Sequence, residues 1–144
     1  MKIDIKNNSK KNLNEDFIKT IKKTVLKTLK FSKKEFDEIN VILVTDPEIK
    51  KINKKFLNKN KTTDVIAFNY PSAYPLKLAD IFISADTAKK NSKYYGLAFE
   101  TELLILCVHG TLHISGYDDK TKSQRKKMNE ITFKIIKNVF DKII

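Results

Sequence analysis

The segment from Leu103 to Asp119 constrains this chain more than any other, because it joins an apolar helix to a group of polar side chains. Residues 103–108 are all apolar, which is typical of a helix that is buried on every side. His109 and His113 are the only two histidines of the chain, and their spacing of four places both imidazoles on one helix face. Burying two imidazoles without partners is costly. The pattern therefore favours histidines that bind a ligand over histidines that only pack in a core.

A short turn after the second histidine supplies oxygen atoms. Gly116 can end the helix in a left-handed conformation, and Asp118 and Asp119 follow at once. Two imidazoles and a carboxylate around an open fourth position form the ligand set of a catalytic zinc site. The same residues are also compatible with core histidines followed by solvated loop carboxylates. We expect one zinc ion per chain at this turn, or another divalent transition metal in its place.

The motif resembles two families of metal-dependent hydrolases. The metzincin peptidases share the histidine spacing, but their general base is a glutamate directly after the first histidine, where this chain has Gly110. The stretch HGTLHISGYDD is more similar to the YbeY family of bacterial endoribonucleases, which act as rRNA maturation factors and carry H-G-x-L-H-L-x-G-Y-D-H. Asp119 stands where that family has a third histidine. The resemblance implies that His109, His113 and Asp119 bind the metal, and that Asp118 anchors the turn.

A second region, residues 52–68, extends the resemblance. The stretches INKKFL and TTDVIAF resemble the family patterns L-N-x-x-[YF]-R and [PA]-T-D-V-L-S-F. Leu57 replaces the arginine with which the family is thought to contact RNA phosphate, and a lysine cannot reproduce the bidentate guanidinium fork. Asp64 is interpreted as a residue that fixes a turn. The remaining candidates for binding RNA are the nearby lysines, Lys54, Lys55, Lys59 and Lys61.

Apolar periodicity predicts the order strand, helix, strand, helix, strand, strand, helix, helix, helix. This order implies one α/β (α+β) domain over residues 1–144, with a mixed four-stranded sheet covered by about five helices. The first helix is expected to start at Asn12, with Glu15 completing its capping box. Residues 39–44 are expected to form a strand that is buried on both faces. The last helix is expected over residues 122–143, with an inward face of Met128, Ile131, Ile135, Val139 and Phe140.

Composition places limits on the partners and the compartment. The net charge of +12 favours polyanions such as nucleic acid, although a genome rich in lysine codons would give the same composition. The single cysteine, Cys107, rules out an internal disulfide and fits a reducing compartment, and its apolar neighbours indicate a buried, inert thiol. No stretch reads as a signal peptide or as a membrane span. We expect a cytoplasmic protein without a membrane partner.

The resemblance implies a metal-dependent, single-strand-specific endoribonuclease in ribosomal RNA maturation and ribosome quality control. Its partners would be precursor ribosomal RNA and the small ribosomal subunit. No catalytic side chain is expected beyond the water that the metal activates. Two alternatives remain open, a non-catalytic RNA- or ribosome-binding assembly factor with a structural metal, and a zinc peptidase. Leu57 and Asp119 depart from the family pattern at positions tied to activity, so these two residues bear directly on the choice.

Overall fold

A computed structural model describes residues 1–141 of the chain. Its strands and helices, in chain order, are β1 (Lys2–Asn7), α1 (Glu15–Ser32), β2 (Glu38–Val44), α2 (Asp46–Leu57), β3 (Val65–Asn69), β4 (Leu78–Ser84), α3 (Ala85–Tyr95), α4 (Phe99–Ile114) and α5 (Lys122–Asp141). The strand order is β1-β2-β4-β3. The first two pairs are parallel, and β3 pairs with β4 as an antiparallel hairpin. The mixed four-stranded sheet and the five helices are confirmed for the described residues.

Side-chain caps explain where the helices begin. The side chain of Asn14 accepts a hydrogen bond of 2.8 Å from the Phe17 N–H, and Asn14 itself has an extended backbone. The predicted start of α1 at Asn12 is therefore wrong by two residues, since the cap belongs to the asparagine nearer the helix. Thr45 caps α2, whose first turn contains Pro47 as expected. The end predicted for α5 at residue 143 lies outside the described residues.

The core forms where one face of the sheet meets α1 and α4. Ile39, Val41 and Leu43 of β2 are fully buried on this face. On the opposite face, Asn40 and Ile42 are only partly buried, because α2 covers that side incompletely. The prediction that β2 is buried on both faces therefore holds for one face only. The predicted inward face of α5 is confirmed for its four buried members, Met128, Ile131, Ile135 and Val139, and Phe140 is partly buried.

The long apolar helix α4 is the central element of the structure. It contacts α1, α3, α5, β3 and β4. Cys107 on this helix is fully buried, and burial raises the pKa of its thiol to about 12, as an inert thiol requires. No single helix in residues 1–141 meets the length and hydropathy expected of a membrane span, although the bent pair α3 and α4 does so by length and composition together.

Candidate metal centre

Close packing against the sheet fixes the position of the histidine helix. A side chain at Gly110 would overlap Cγ2 of Ile81 on β4, and its Cβ would lie 3.2 Å from Cγ2 of Val65 on β3. Only glycine allows α4 to approach the sheet this closely. His109 and His113 flank this contact and stay partly accessible on a helix that is otherwise buried. The glycine that weakens the peptidase interpretation therefore has a structural reason to be there.

The turn after α4 brings the chain back toward the histidines. Ser115 ends the helix, and Gly116 has a φ of +101°, so the predicted positive-φ glycine is confirmed. The Tyr117 N–H then donates to the Leu112 carbonyl at 2.9 Å, which closes the turn. Asp118 and Asp119 follow this reversal. As a result, Asp119 lies beside a histidine six residues earlier in the chain.

The structure brings together two of the three predicted ligands and adds a third group. His113 Nε2 lies 3.5 Å from Asp119 Oδ2. One ligand atom from each of His113, Asp118 and Asp119 lies within 4.8 Å of the others. Asp118 also accepts a 3.0 Å hydrogen bond from the Asp119 N–H, which is the turn-anchoring role expected of it. The metal-ligand role of Asp119 stays a prediction. Both carboxylates lie near enough to His113 for either one to bind the same metal ion.

His109, the remaining predicted ligand, lies outside this compact group, although the charges of His113 and Asp119 act on it. Its Nε2 atom is buried without a hydrogen-bond partner among residues 1–141. Burial lowers the pKa of His109, with His113 acting in the same direction, while the carboxylates of Asp64 and Asp119 oppose the shift. A neutral imidazole with an unpartnered ring nitrogen is what a metal requires of a histidine ligand. His109, His113 and the following carboxylates therefore fit a metal ion.

The four candidate lysines are grouped near the end of α2. Lys54 and Lys55 are in the last turn of α2, and Lys59 and Lys61 follow in the connection to β3. All four are exposed, and Lys55 Nζ lies 5.3 Å from the centre of the Phe56 ring. The buried Asn53 side chain donates to the Lys61 carbonyl and so fixes this connection. The connection leads directly to Asp64, whose charge acts on His109.

Two acidic residues near the histidines were not predicted as site residues. Asp64 accepts from the Val65 N–H, which agrees with the predicted turn role, yet its carboxylate also acts on both His109 and Glu102. Glu102 lies on α4, seven residues before His109, and is only 4% exposed. A charged residue one position before the apolar run was the available signal for Glu102. The surroundings of Glu102 are formed by residues of α3 and α5, and the periodicity of the sequence does not show that these helices lie beside it.

The sequence of this chain is similar to those of known proteins. The family model described as "Endoribonuclease YbeY" matches residues 3–139. The "Endoribonuclease YbeY" of Elusimicrobium minutum is 45% identical over 111 residues, covering 74% of this chain and 77% of that protein. The protein of the same name from Acetivibrio thermocellus is 32% identical and covers 96% of this chain and 97% of its own length.

A solved structure is similar over almost the whole chain. The solution structure of TM1509 from Thermotoga maritima superposes with a TM-score of 0.66 at 27% sequence identity. The match covers 97% of this chain and 90% of that protein. The match to the family model includes both regions in which the sequence motifs occur. The chain therefore belongs to the YbeY endoribonuclease family.

Proposed function

We propose that this protein is a metal-dependent endoribonuclease that cleaves single-stranded RNA during ribosomal RNA maturation. Membership of the YbeY family supports the reaction class, because its relatives carry the name endoribonuclease. The observation that carries the proposal is the buried, unpartnered Nε2 of His109, one helix turn before His113, whose own Nε2 lies 3.5 Å from Asp119 Oδ2. Imidazole and carboxylate ligands suit zinc, and the carboxylates also make harder cations such as Mn²⁺ competitive.

The residues of the centre have distinct tasks in this proposal. When bound, the metal supplies a water molecule of lowered pKa and polarises a phosphate oxygen. His109 offers a neutral ring nitrogen, because burial holds its pKa below the usual value. Asp118 keeps Asp119 in place through the backbone hydrogen bond. The exposed lysines of residues 54–61 attract the RNA backbone, an interaction that salt weakens.

The proposed partners are precursor ribosomal RNA and the small ribosomal subunit, in the cytoplasm. A net charge of +12 supports binding to a polyanion. The exposed lysines at the end of α2 provide positive charge on the same connection that leads to the candidate centre. Association with isolated small subunits in a sedimentation assay, compared with large subunits, is the direct measurement.

One observation favours a second candidate function, a non-catalytic RNA-binding assembly factor with a structural metal. Leu57 is 45% exposed and apolar at the position where the family pattern has an arginine. A guanidinium that grips phosphate is therefore missing from this place. The peptidase alternative has no such support, because Gly110 offers no base and the sheet leaves no room for a side chain there.

The test uses protein purified without a histidine tag. Metal analysis should give one zinc or other divalent ion per chain, and the protein should cleave single-stranded RNA but not duplex RNA or casein. A chelator should abolish cleavage, and added metal should restore it. His109→Ala and His113→Ala should each lose stoichiometric metal and cleavage. Full metal occupancy without RNA turnover would instead establish the assembly factor, and full occupancy in the double alanine variant would refute the centre itself.

A further inference from the structure

A cleft lies between α3, α4 and α5 and ends at the candidate metal centre. Its volume is about 590 Å³, within the range of about 300–1,000 Å³ typical of small-ligand pockets. Its wall includes Asn91 and Tyr95 from α3, Glu102 and His109 from α4, and Phe133 from α5. The Phe133 side chain is 70% exposed and that of Tyr95 is 63% exposed. Both rings border the cleft, and the Tyr95 ring also contacts that of Tyr94, with ring centroids 5.1 Å apart.

The polar group of this cleft is Glu102. Its side chain is 4% exposed and takes part in none of the ion pairs formed within residues 1–141. The Asn91 side chain stabilises the ionised form of the carboxyl group and so lowers its pKa. Burial raises the pKa of Glu102 to about 7, and the nearby Asp64 adds to the shift. The protein therefore maintains a poorly solvated carboxyl group that has one partner and faces an open cleft.

The charges of the cleft exclude an anionic occupant. Among the described residues, its wall contains neither lysine nor arginine, and it carries two carboxylates, Asp64 and Glu102. A phosphate group would meet repulsion there, whereas a neutral ring with N–H donors would satisfy Glu102. In single-stranded RNA, unstacked bases are recognised by aromatic stacking and by hydrogen bonds to their edges.

The separation along α4 excludes Glu102 from proton transfer at the metal. His109 is seven positions after Glu102, which corresponds to about 10 Å along the helix axis. An acid or base must be within hydrogen-bond reach of the proton it transfers. A distance of this size is instead comparable with the span from the phosphate of one nucleotide to the far edge of its base.

We propose, on the basis of the proposed function, that this cleft binds one unstacked guanine base of single-stranded RNA next to the cleavage site. Guanine is the only one of the four RNA bases that presents two adjacent N–H donors on its Watson–Crick edge. The Glu102 carboxylate accepts these donors, Asn91 holds the carboxylate, and Tyr95 and Phe133 provide the stacking surface. Glu102 is thus a residue that determines base specificity and takes no part in bond cleavage.

Binding without cleavage tests this assignment. Fluorescein-labelled heptauridine, unchanged or with one central guanosine, adenosine or cytidine, is titrated with protein in excess chelator, and anisotropy gives each Kd. The guanosine oligomer should bind about tenfold more tightly than the others, as expected for a bidentate contact to a base. Glu102→Gln should abolish this preference, because its amide presents one acceptor and one donor, which instead suits adenine or cytosine.

Aromatic variants provide the second measurement, since exposed rings are dispensable for folding. Phe133→Ala and Tyr95→Ala should each weaken binding of the guanosine oligomer about tenfold. Tyr74→Ala is the matched control, because this tyrosine is 86% exposed and does not contribute to the cleft wall. If the Gln variant unfolds, the aromatic variants still decide the question.

Equal affinity of the parent for all four oligomers, or an unchanged preference in a folded Glu102→Gln variant, would overturn the inference. Wild-type affinity in both aromatic variants would overturn it as well. Metal-loaded cleavage is measured separately on the same proteins. Cleavage without any guanine preference refutes the base assignment alone, and guanine preference without cleavage refutes the endoribonuclease proposal alone.

Discussion

His113 Nε2 and Asp119 Oδ2 lie 3.5 Å apart although a helix end and a reversed turn separate the two residues. The positive φ of Gly116 permits this reversal. Asp118, one residue earlier, accepts the backbone N–H of Asp119 and is itself within reach of His113. The centre therefore contains two carboxylates that differ in task, and substitution can separate them.

The first prediction concerns these two carboxylates. Asp119→Ala should weaken metal binding strongly, whereas Asp118→Ala should weaken it less, because Asp118 contributes mainly to the turn. Asp119→His should keep or tighten zinc binding and move the pH profile of any RNA cleavage to lower pH, since an imidazole leaves the metal charge less neutralised. Titration with a competing chelator gives the affinities. Loss of metal in the Asp118 variant with parental affinity in the Asp119 variant would show that the ligand assignment is reversed.

The second prediction tests the contact between α4 and the sheet. Gly110→Ala should lower the free energy of unfolding by about 1–3 kcal/mol, because the new methyl group meets Cγ2 of the fully buried Ile81. This atom belongs to a β-branched side chain that has little rotamer freedom. Ile81→Ala should make the glycine substitution much less costly in the double variant. Urea denaturation of all four proteins measures the coupling, and simple additivity would contradict the steric explanation.

The third prediction concerns the pH dependence of stability. Burial raises the pKa of Glu102 from 4.5 to about 7, so the folded state holds this proton more tightly than the unfolded chain does. Stability therefore falls as pH rises from about 4.5 through 7 and levels off above it. The difference is on the order of 3 kcal/mol. His109 titrates nearby with the opposite sign, because its pKa is lowered in the folded state.

Comparison with Glu102→Gln isolates the carboxyl group from that opposing effect. The glutamine variant keeps His109 and lacks the Glu102 titration, so its stability relative to the parent should rise between pH 5 and pH 8. Urea denaturation of metal-free protein at both pH values gives the difference. A constant difference would show that Glu102 is not perturbed in the folded protein.

The fourth prediction concerns the lysines between α2 and β3. Substituting Lys54, Lys55, Lys59 and Lys61 together by alanine should weaken binding to single-stranded RNA and reduce its salt dependence, because fewer counterions are released. An equal number of exposed lysines on α1 provides the matched control, namely Lys19, Lys22, Lys23 and Lys30. An equal loss in both variants would indicate a general charge effect without a defined site.

Much of the fold and of the candidate centre was predictable from local patterns. The histidine spacing on α4 and the turn residue Gly116 depend on contacts within a few residues, and local backbone geometry decides them. The mixed character of the four-stranded sheet also followed from the order of strands and helices, whereas the pairing of β2 with β4 did not. The predicted N-cap of α1, Asn12, was wrong, and the actual cap is Asn14. Both asparagines are suitable caps by residue type, and only the backbone conformation distinguishes them.

What the sequence alone determined is the family and the identity of the metal-binding candidates, because both depend on residue type and spacing in one continuous segment. Only the tertiary structure decided that Asp118 and Asp119 both lie near His113, that Asp64 acts on His109, and that Glu102 faces a cleft. These relationships join residues from separate elements. Packing of α3, α4 and α5 sets their distances and desolvates their charges, and neither quantity can be derived from the spacing of residues along a chain.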